Sequence, residues 1–225
     1  MSPATPRPRA LRPEQVLRLG GLHVLADDDP RWKYDPLEQA AAACAGGAHV
    51  VQLRVKSATD RQALLWAERI RGLTRASGAL FFVNDRFDLA LAAEADGVHL
   101  GQTDLPPGRI PAAARQRLLL GHSTHTRAQV EAACGEPVDY LAFGPVFGTR
   151  SKQSEYDARG IDALAQMVAL AAPLPLVAIG GIDAAGAAAV ANAGAGAAVI
   201  SAVAADDDPT RATRALVAAL RRGPA

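Results

Sequence analysis

Leu80-Phe81-Phe82-Val83-Asn84-Asp85-Arg86-Phe87-Asp88, followed after an alanine-rich stretch by Asp96-Gly97-Val98-His99-Leu100-Gly101-Gln102-Thr103-Asp104, decides the fold. Two short apolar runs with strand chemistry each end in polar residues, and the segment between them has helical character. The same alternation extends in both directions. Strands are predicted near Leu22-His23-Val24-Leu25, His49-Val50-Val51-Gln52-Leu53, Leu80-Phe81-Phe82-Val83, Gly97-Val98-His99-Leu100, Leu118-Leu119-Leu120, Tyr140-Leu141-Ala142-Phe143, Leu176-Val177-Ala178-Ile179 and Ala197-Ala198-Val199-Ile200. Helices are predicted over 60–77 with Asp60 as cap, and over 126–134, 161–171, 184–193 and 209–222. Strict strand–helix alternation implies parallel strands joined by right-handed crossovers, and eight such units give a (β/α)8 TIM barrel of the α/β class. The open alternative, a dinucleotide-binding sheet, wants a glycine fingerprint after the first strand, where this chain carries Asp27-Asp28-Asp29-Pro30.

The 225 residues suit one domain, assigned to 21–225. Residues 1–20 are expected to form a mobile tail, although the Arg-rich, acid-poor opening also fits a transit peptide. A net charge of +1 gives no electrostatic reason to expect nucleic acid or an anionic membrane, and no apolar run is long enough to span a bilayer. The two cysteines, Cys44 and Cys134, form no metal or disulfide spacing, which fits a reducing cytoplasm. Self-association stays open.

Barrel enzymes carry their chemistry on the loops after the strands, with phosphate sites after strands seven and eight. Polar residues are expected at those ends. Strand two closes in Gln52, Arg54 and Lys56, which period two sends to one side. Strand three closes in Asn84 and Asp85, strand four in Gln102 and Asp104, and strand five in His122-Ser123-Thr124-His125. Strand six is followed by Gly144 to Lys152, strand seven by Gly180-Gly181, and strand eight by Ser201. Asp85 and Asp104 read as magnesium ligands, since a hard dication needs only one or two carboxylates beside a substrate phosphate and waters.

These motifs together resemble the thiamine-phosphate synthase family from about Leu22 to Ala202. They are QLR-K at 52–56, NDR-D-A at 84–90, DGVHLGQ-DLP at 96–106, S-H at 123–125, GPVF-T-SK at 144–152 and AIGGI at 178–182. The resemblance implies displacement of diphosphate from hydroxymethylpyrimidine diphosphate by the ring nitrogen of hydroxyethylthiazole phosphate, or of its carboxylated form. It further implies that Mg2+ on Asp85 and Asp104, with Arg54, Lys56 and Lys152, stabilises the departing anion. Gln52, Asn84 and Ser123 would hydrogen-bond the diphosphate and the pyrimidine edge. Thr149 and Ser151 would face the thiazole, and its phosphate would rest on amides of Gly181, Ile200 and Ser201. The chain departs from the family pattern at Arg150 and Ser151, usually Pro and Thr, in the Ala193-Gly194-Ala195-Gly196-Ala197 run, which lacks the usual Asp, and at Leu25-Ala26-Asp27.

Blander readings accompany each candidate. Asn84 and Asp85 could cap the next helix, Asp104 could form a turn, and Arg54 and Lys56 could be solvated strand ends. Ser123 beside His122 and His125 has the look of a nucleophile, but no acid is placed to orient either imidazole. His99 reads as a packed, hydrogen-bonded core residue. Trp32 and Tyr34 either cover the site or pack on the first helix. Rival functions are the related thiazole tautomerase, which needs neither diphosphate nor magnesium, and a non-catalytic thiamine-phosphate binder.

Overall fold

A computed structural model describes residues 12–148 and 156–221. Eight parallel strands close into a barrel in sequence order: β1 (Leu22–Asp27), β2 (Val50–Arg54), β3 (Leu80–Asn84), β4 (Gly97–Leu100), β5 (Leu119–Thr124), β6 (Tyr140–Phe143), β7 (Leu176–Ile179) and β8 (Gly196–Val199), with β8 paired to β1. Helices α1 (Pro13–Leu19) and α2 (Pro36–Gly46) flank β1. Each later strand leads into a helix, β8 into two: α3 (Asp60–Ser77), α4 (Phe87–Ala92), α5 (Ala112–Arg115), α6 (Arg127–Ala133), α7 (Ile161–Ala171), α8 (Ala184–Asn192), then α9 (Ser201–Ala204) and α10 (Pro209–Leu220). The unit after β4 departs most from a full helix. The prolines at 106, 107 and 111 leave only a 3-10 turn and the single turn of α5.

Alternation along the strands divides the core in two. Leu25, Val50, Phe82, Leu119, Tyr140, Val177 and Ala198 fill the barrel interior. Val24, Val51, Phe81, Val98, Leu120 and Leu141 face outward beneath the helices. Each large side chain so buried contributes about 1.5–3 kcal/mol. Alanine-rich faces on α2 and α8 let these helices approach the sheet closely.

Local signals fix the helix ends. Asp35 accepts from Glu38 N in a capping box with Pro36 behind it, and Gly47 closes α2 in the left-handed region. Thr59, not Asp60, caps α3, accepting from Gln62 N. Asp60 lies in the first turn, where its charge suits the helix dipole, and it pairs with Arg86.

The expected mobile tail of residues 1–20 needs correction from Pro13 onward. Residues 13–19 form α1, whose Leu19 is fully buried among the interior residues and whose Leu19 carbonyl accepts from His23 Nε2 at 2.8 Å. Leu19 closes the N-terminal end of the barrel interior, and its burial offsets part of the chain entropy that α1 loses on ordering. Residues 1–11 lie outside the described residues. Among the described residues no helix is long and apolar enough to cross a membrane, and Cys44 and Cys134 are free.

Candidate active site

The carboxyl ends of β1 to β5 surround an open cleft of about 610 Å3. Its lining includes Asp29, Arg31, Arg54, Lys56, Asn84, Asp85, His99, Asp104 and Ser123. Seven of these come from strand ends or the turns just beyond them, as parallel barrel geometry requires. Asp29 and Arg31 come from the longer loop after β1.

Lys56 and the two acids form the centre of the cleft. Lys56 Nζ lies 2.5 Å from Asp85 Oδ2. Asp85 adopts a left-handed backbone with φ of 64°, an uncommon conformation for a non-glycine residue, and its amide donates to His99 O at 2.7 Å. Neither Asn84 nor Asp85 caps α4, whose N-cap is Arg86 with no side-chain cap bond. Asp104 accepts from Gly101 N at 2.6 Å, so its turn role is real. It lines the cleft together with Asp85. Burial first, and then the adjacent Asp85, push the Asp104 carboxyl above the usual carboxylate range. The two acids set hard oxygen donors on the lining of the cleft, a pair that fits a dication completed by substrate phosphate and water. Among the described residues no third His, Cys, Asp or Glu joins them.

Arg54 does not stand free at the rim. Its guanidinium is paired with Asp27 Oδ2 at 2.5 Å, and the Asp27 side chain is only 2% exposed. The same carboxylate accepts from Trp32 Nε1 at 3.1 Å and from Asp29 N at 2.9 Å. Burying an ion pair is costly, but removing one partner is costlier, because the remaining charge is stranded. Asp27 therefore holds Arg54 as a fixed cation beside the cleft. Asp28 does similar work for the neighbouring loop. Its oxygens accept from the amides of Lys56, Ser57 and Ala58 at 2.7, 2.8 and 2.7 Å, fixing the backbone that carries Lys56. These two acids lay in view in the 27–30 run. Only their strand-end position could have signalled the role, since a strand-end carboxylate beside a strand-end arginine on the next strand is a pairing signal.

Of the neutral candidates, Asn84 and Ser123 line the cleft, whereas Gln52 does not. Gln52 is buried, and its Oε1 accepts no hydrogen bond among the described residues. Ser123 Oγ lies 2.8 Å from His99 Nε2, and His99 Nδ1 lies 2.8 Å from the Tyr140 hydroxyl. His99 is thus the packed, hydrogen-bonded residue expected. Neither His122 nor His125 holds Ser123: His122 Nε2 meets Gln102 Nε2 at 3.2 Å, and His125 Nδ1 donates to Gly144 O at 2.7 Å while its ring stacks on Tyr156 at 4.4 Å. Trp32 packs against the interior cluster, and Tyr34 O–H donates to Asp207 O.

Gly181 and Ile200–Ser201 sit in adjacent turns, after β7 and β8, which pair with each other. Glycine at 181 also has a packing reason. A Cβ there would lie 2.2 Å from Gly148 O, so the missing side chain admits the loop after β6. Thr149, Ser151 and Lys152, and with them Arg150, lie outside the described residues.

A family profile described as thiamine monophosphate synthase matches residues 22–203. The thiamine-phosphate synthase of Anaeromyxobacter dehalogenans is 46% identical over 92% of this chain and 90% of its own length. That of Archaeoglobus fulgidus is 43% identical over 82% and 87%. Among solved structures, the thiamine phosphate pyrophosphorylase from Pyrococcus furiosus superposes with a TM-score of 0.80 at 36% identity, covering 91% of this chain and 98% of that one. A 3-hexulose-6-phosphate synthase, at 18% identity and a TM-score of 0.61, shares the barrel fold alone. The chain belongs to the thiamine monophosphate synthase family.

Proposed function

We propose that this chain is a thiamine-phosphate synthase that joins hydroxymethylpyrimidine diphosphate to hydroxyethylthiazole phosphate and releases diphosphate. The observation that carries this reading is the gathering of Arg54, Lys56, Asp85, Asp104 and Ser123 around one cleft. The bond from the pyrimidine methylene carbon to the diphosphate oxygen breaks, and its electron pair leaves with diphosphate. The thiazole nitrogen then forms the new carbon–nitrogen bond. Negative charge grows on the departing oxygen, so fixed cations aimed there lower the barrier more than they stabilise the bound substrate.

Arg54, held by Asp27, and Lys56, held through its backbone by Asp28, supply preorganised charge. Lys152 is assigned the same task. Asp85 and Asp104 would hold Mg2+, which when bound supplies further positive charge to the diphosphate. Gln52, with its open acceptor, Asn84 and Ser123 orient the pyrimidine and diphosphate. Thr149 and Ser151 are assigned to the thiazole, and the amides of Gly181, Ile200 and Ser201 to its phosphate. A tautomerase would leave the facing carboxylates without a task. The substrates are small phosphorylated molecules, neither nucleic acid nor membrane is required, and free Cys44 and Cys134 accord with a cytoplasmic setting.

The test supplies both substrates and magnesium to the purified protein and measures diphosphate and thiamine phosphate. Both are expected in equal amounts. Folded protein that forms no product above background overturns the synthase reading, whereas product formation that survives EDTA overturns only the metal assignment.

A further inference from the structure

Beneath the cleft the barrel interior holds a short polar chain running from the core to the site. Tyr140 is 1% exposed, and its ring lies over Gly121 on β5, where a Cβ would stand 2.2 Å from Tyr140 Cζ. Phe82 meets the ring edge-on at 5.7 Å, and His23 lies at 5.2 Å, so the phenol is locked in place by packing. Its hydroxyl reaches His99 Nδ1, and the opposite ring nitrogen reaches Ser123 Oγ, each at 2.8 Å. Ser123 in turn lines the cleft.

We propose that Tyr140 and His99 are positioning residues that make Ser123 a hydrogen-bond donor toward the bound substrate. In this arrangement Tyr140 O–H donates to His99 Nδ1, His99 Nε2–H donates to Ser123 Oγ, and the serine hydrogen points into the cleft. The polarity follows from the phenol. Among the described residues His99 is the hydrogen-bond partner of the Tyr140 hydroxyl. If that hydroxyl accepted instead, its own hydrogen would be buried unpaired, and an unmet donor is expensive in a dry interior. Burial also pushes the phenol pKa well up, so the hydrogen stays on oxygen. A neutral imidazole has one donor and one acceptor nitrogen, so fixing Nδ1 as acceptor fixes Nε2 as donor. A serine oxygen already receiving that hydrogen bond directs its own hydrogen elsewhere.

This assigns a chemical class to the substrate atom opposite Ser123: a hydrogen-bond acceptor, such as a phosphoryl oxygen or an unprotonated ring nitrogen. The opposite tautomer would take the serine hydrogen for His99 Nε2 and leave Ser123 able only to accept. The inference rests on the reading of the cleft as the substrate site, but its core, the tautomer of His99, does not depend on what the cleft binds.

The first measurement is the two-bond proton–nitrogen correlation spectrum of the 15N-labelled full chain. His99 is expected as the Nε2–H tautomer, and the Nδ1–H form overturns the proposal whether or not the protein makes thiamine phosphate. The second is a cycle of Tyr140→Phe and Ser123→Ala, followed by kcat and KM. Tyr140→Phe keeps the ring, and it is expected to mix the His99 tautomers and lower kcat/KM about tenfold. In the Ser123→Ala background the same change is expected to have no further effect, because the chain then ends in nothing. Equal losses in both backgrounds would show that Tyr140 merely packs the core and would overturn the proposal. If Tyr140→Phe does not fold, the wild-type spectrum decides alone.

Discussion

Lys56 Nζ stands 2.5 Å from Asp85 Oδ2 while Asp85 also faces Asp104, so one carboxylate is shared between a fixed cation and a second acid. That arrangement is poor for stability and useful for catalysis. A partly exposed lysine–carboxylate pair contributes little to folding. Turned toward a departing diphosphate, a single charge at about 4 Å in an effective dielectric near 20 is worth up to roughly 4 kcal/mol. Asp85→Asn and Lys56→Ala are therefore expected to lower turnover by at least about a hundredfold, with little change in melting temperature. Steady-state diphosphate release and thermal melts on the same preparations check this. Near-normal rates in both variants would remove the electrostatic mechanism.

Gly181 supplies a second prediction. Its φ is +66°, and a Cβ would lie 2.2 Å from Gly148 O and 2.7 Å from Phe147 O, both backbone atoms. Left-handed geometry alone costs an L-residue about 1–2 kcal/mol, and the clash with the loop after β6 adds to it. Gly181→Ala is expected to destabilise the protein by more than about 2 kcal/mol in urea melts. Gly72, in α3, has open space around the same added carbon. There the change to alanine is expected to stabilise by about 0.5–1 kcal/mol, since helix propensity is the only effect left. Two glycine-to-alanine changes of the same sign would contradict this account.

Much of this could be read from the chain before its coordinates, for identifiable reasons. Each of the eight strands is a short apolar run closed by polar residues, and period, unlike tertiary detail, is a local property. The barrel and the gathering of Lys56, Asp85, Asp104 and Ser123 at one end follow from that period once the strands are parallel. Three things were hidden. α1 carries exposed Val16 and Leu17 and only one deeply buried leucine, so its docking under the barrel leaves a weak pattern in the sequence. The Asp27–Arg54 pair links side chains on adjacent strands, and pairing of that kind depends on register. The reason for Gly181 is a carbonyl from a different loop, which no local pattern reports.

His23 makes folding sensitive to acid. The ring is 1% exposed, and its Nε2 donates to Leu19 O at 2.8 Å. Burial lowers its pKa to about 4 from the ordinary 6.5, outweighing the hydrogen bond to Leu19, while nearby His49 lowers it further. Between those two values the unfolded chain binds a proton that the folded chain refuses. Stability from the neutral ring is therefore complete above about pH 6.5 and declines as the pH falls toward 4. A shift of this size corresponds to about 3 kcal/mol across that window. His49 and His122, also held below the ordinary histidine range by burial, act in the same direction. His23→Gln replaces the ring with a neutral donor, so its stability should fall less between pH 7 and pH 4.5 than that of the wild type. The carboxylates common to both proteins cancel in that difference. Urea melts at the two pH values measure it, and identical losses in both proteins would show that His23 takes up its proton without leaving the fold.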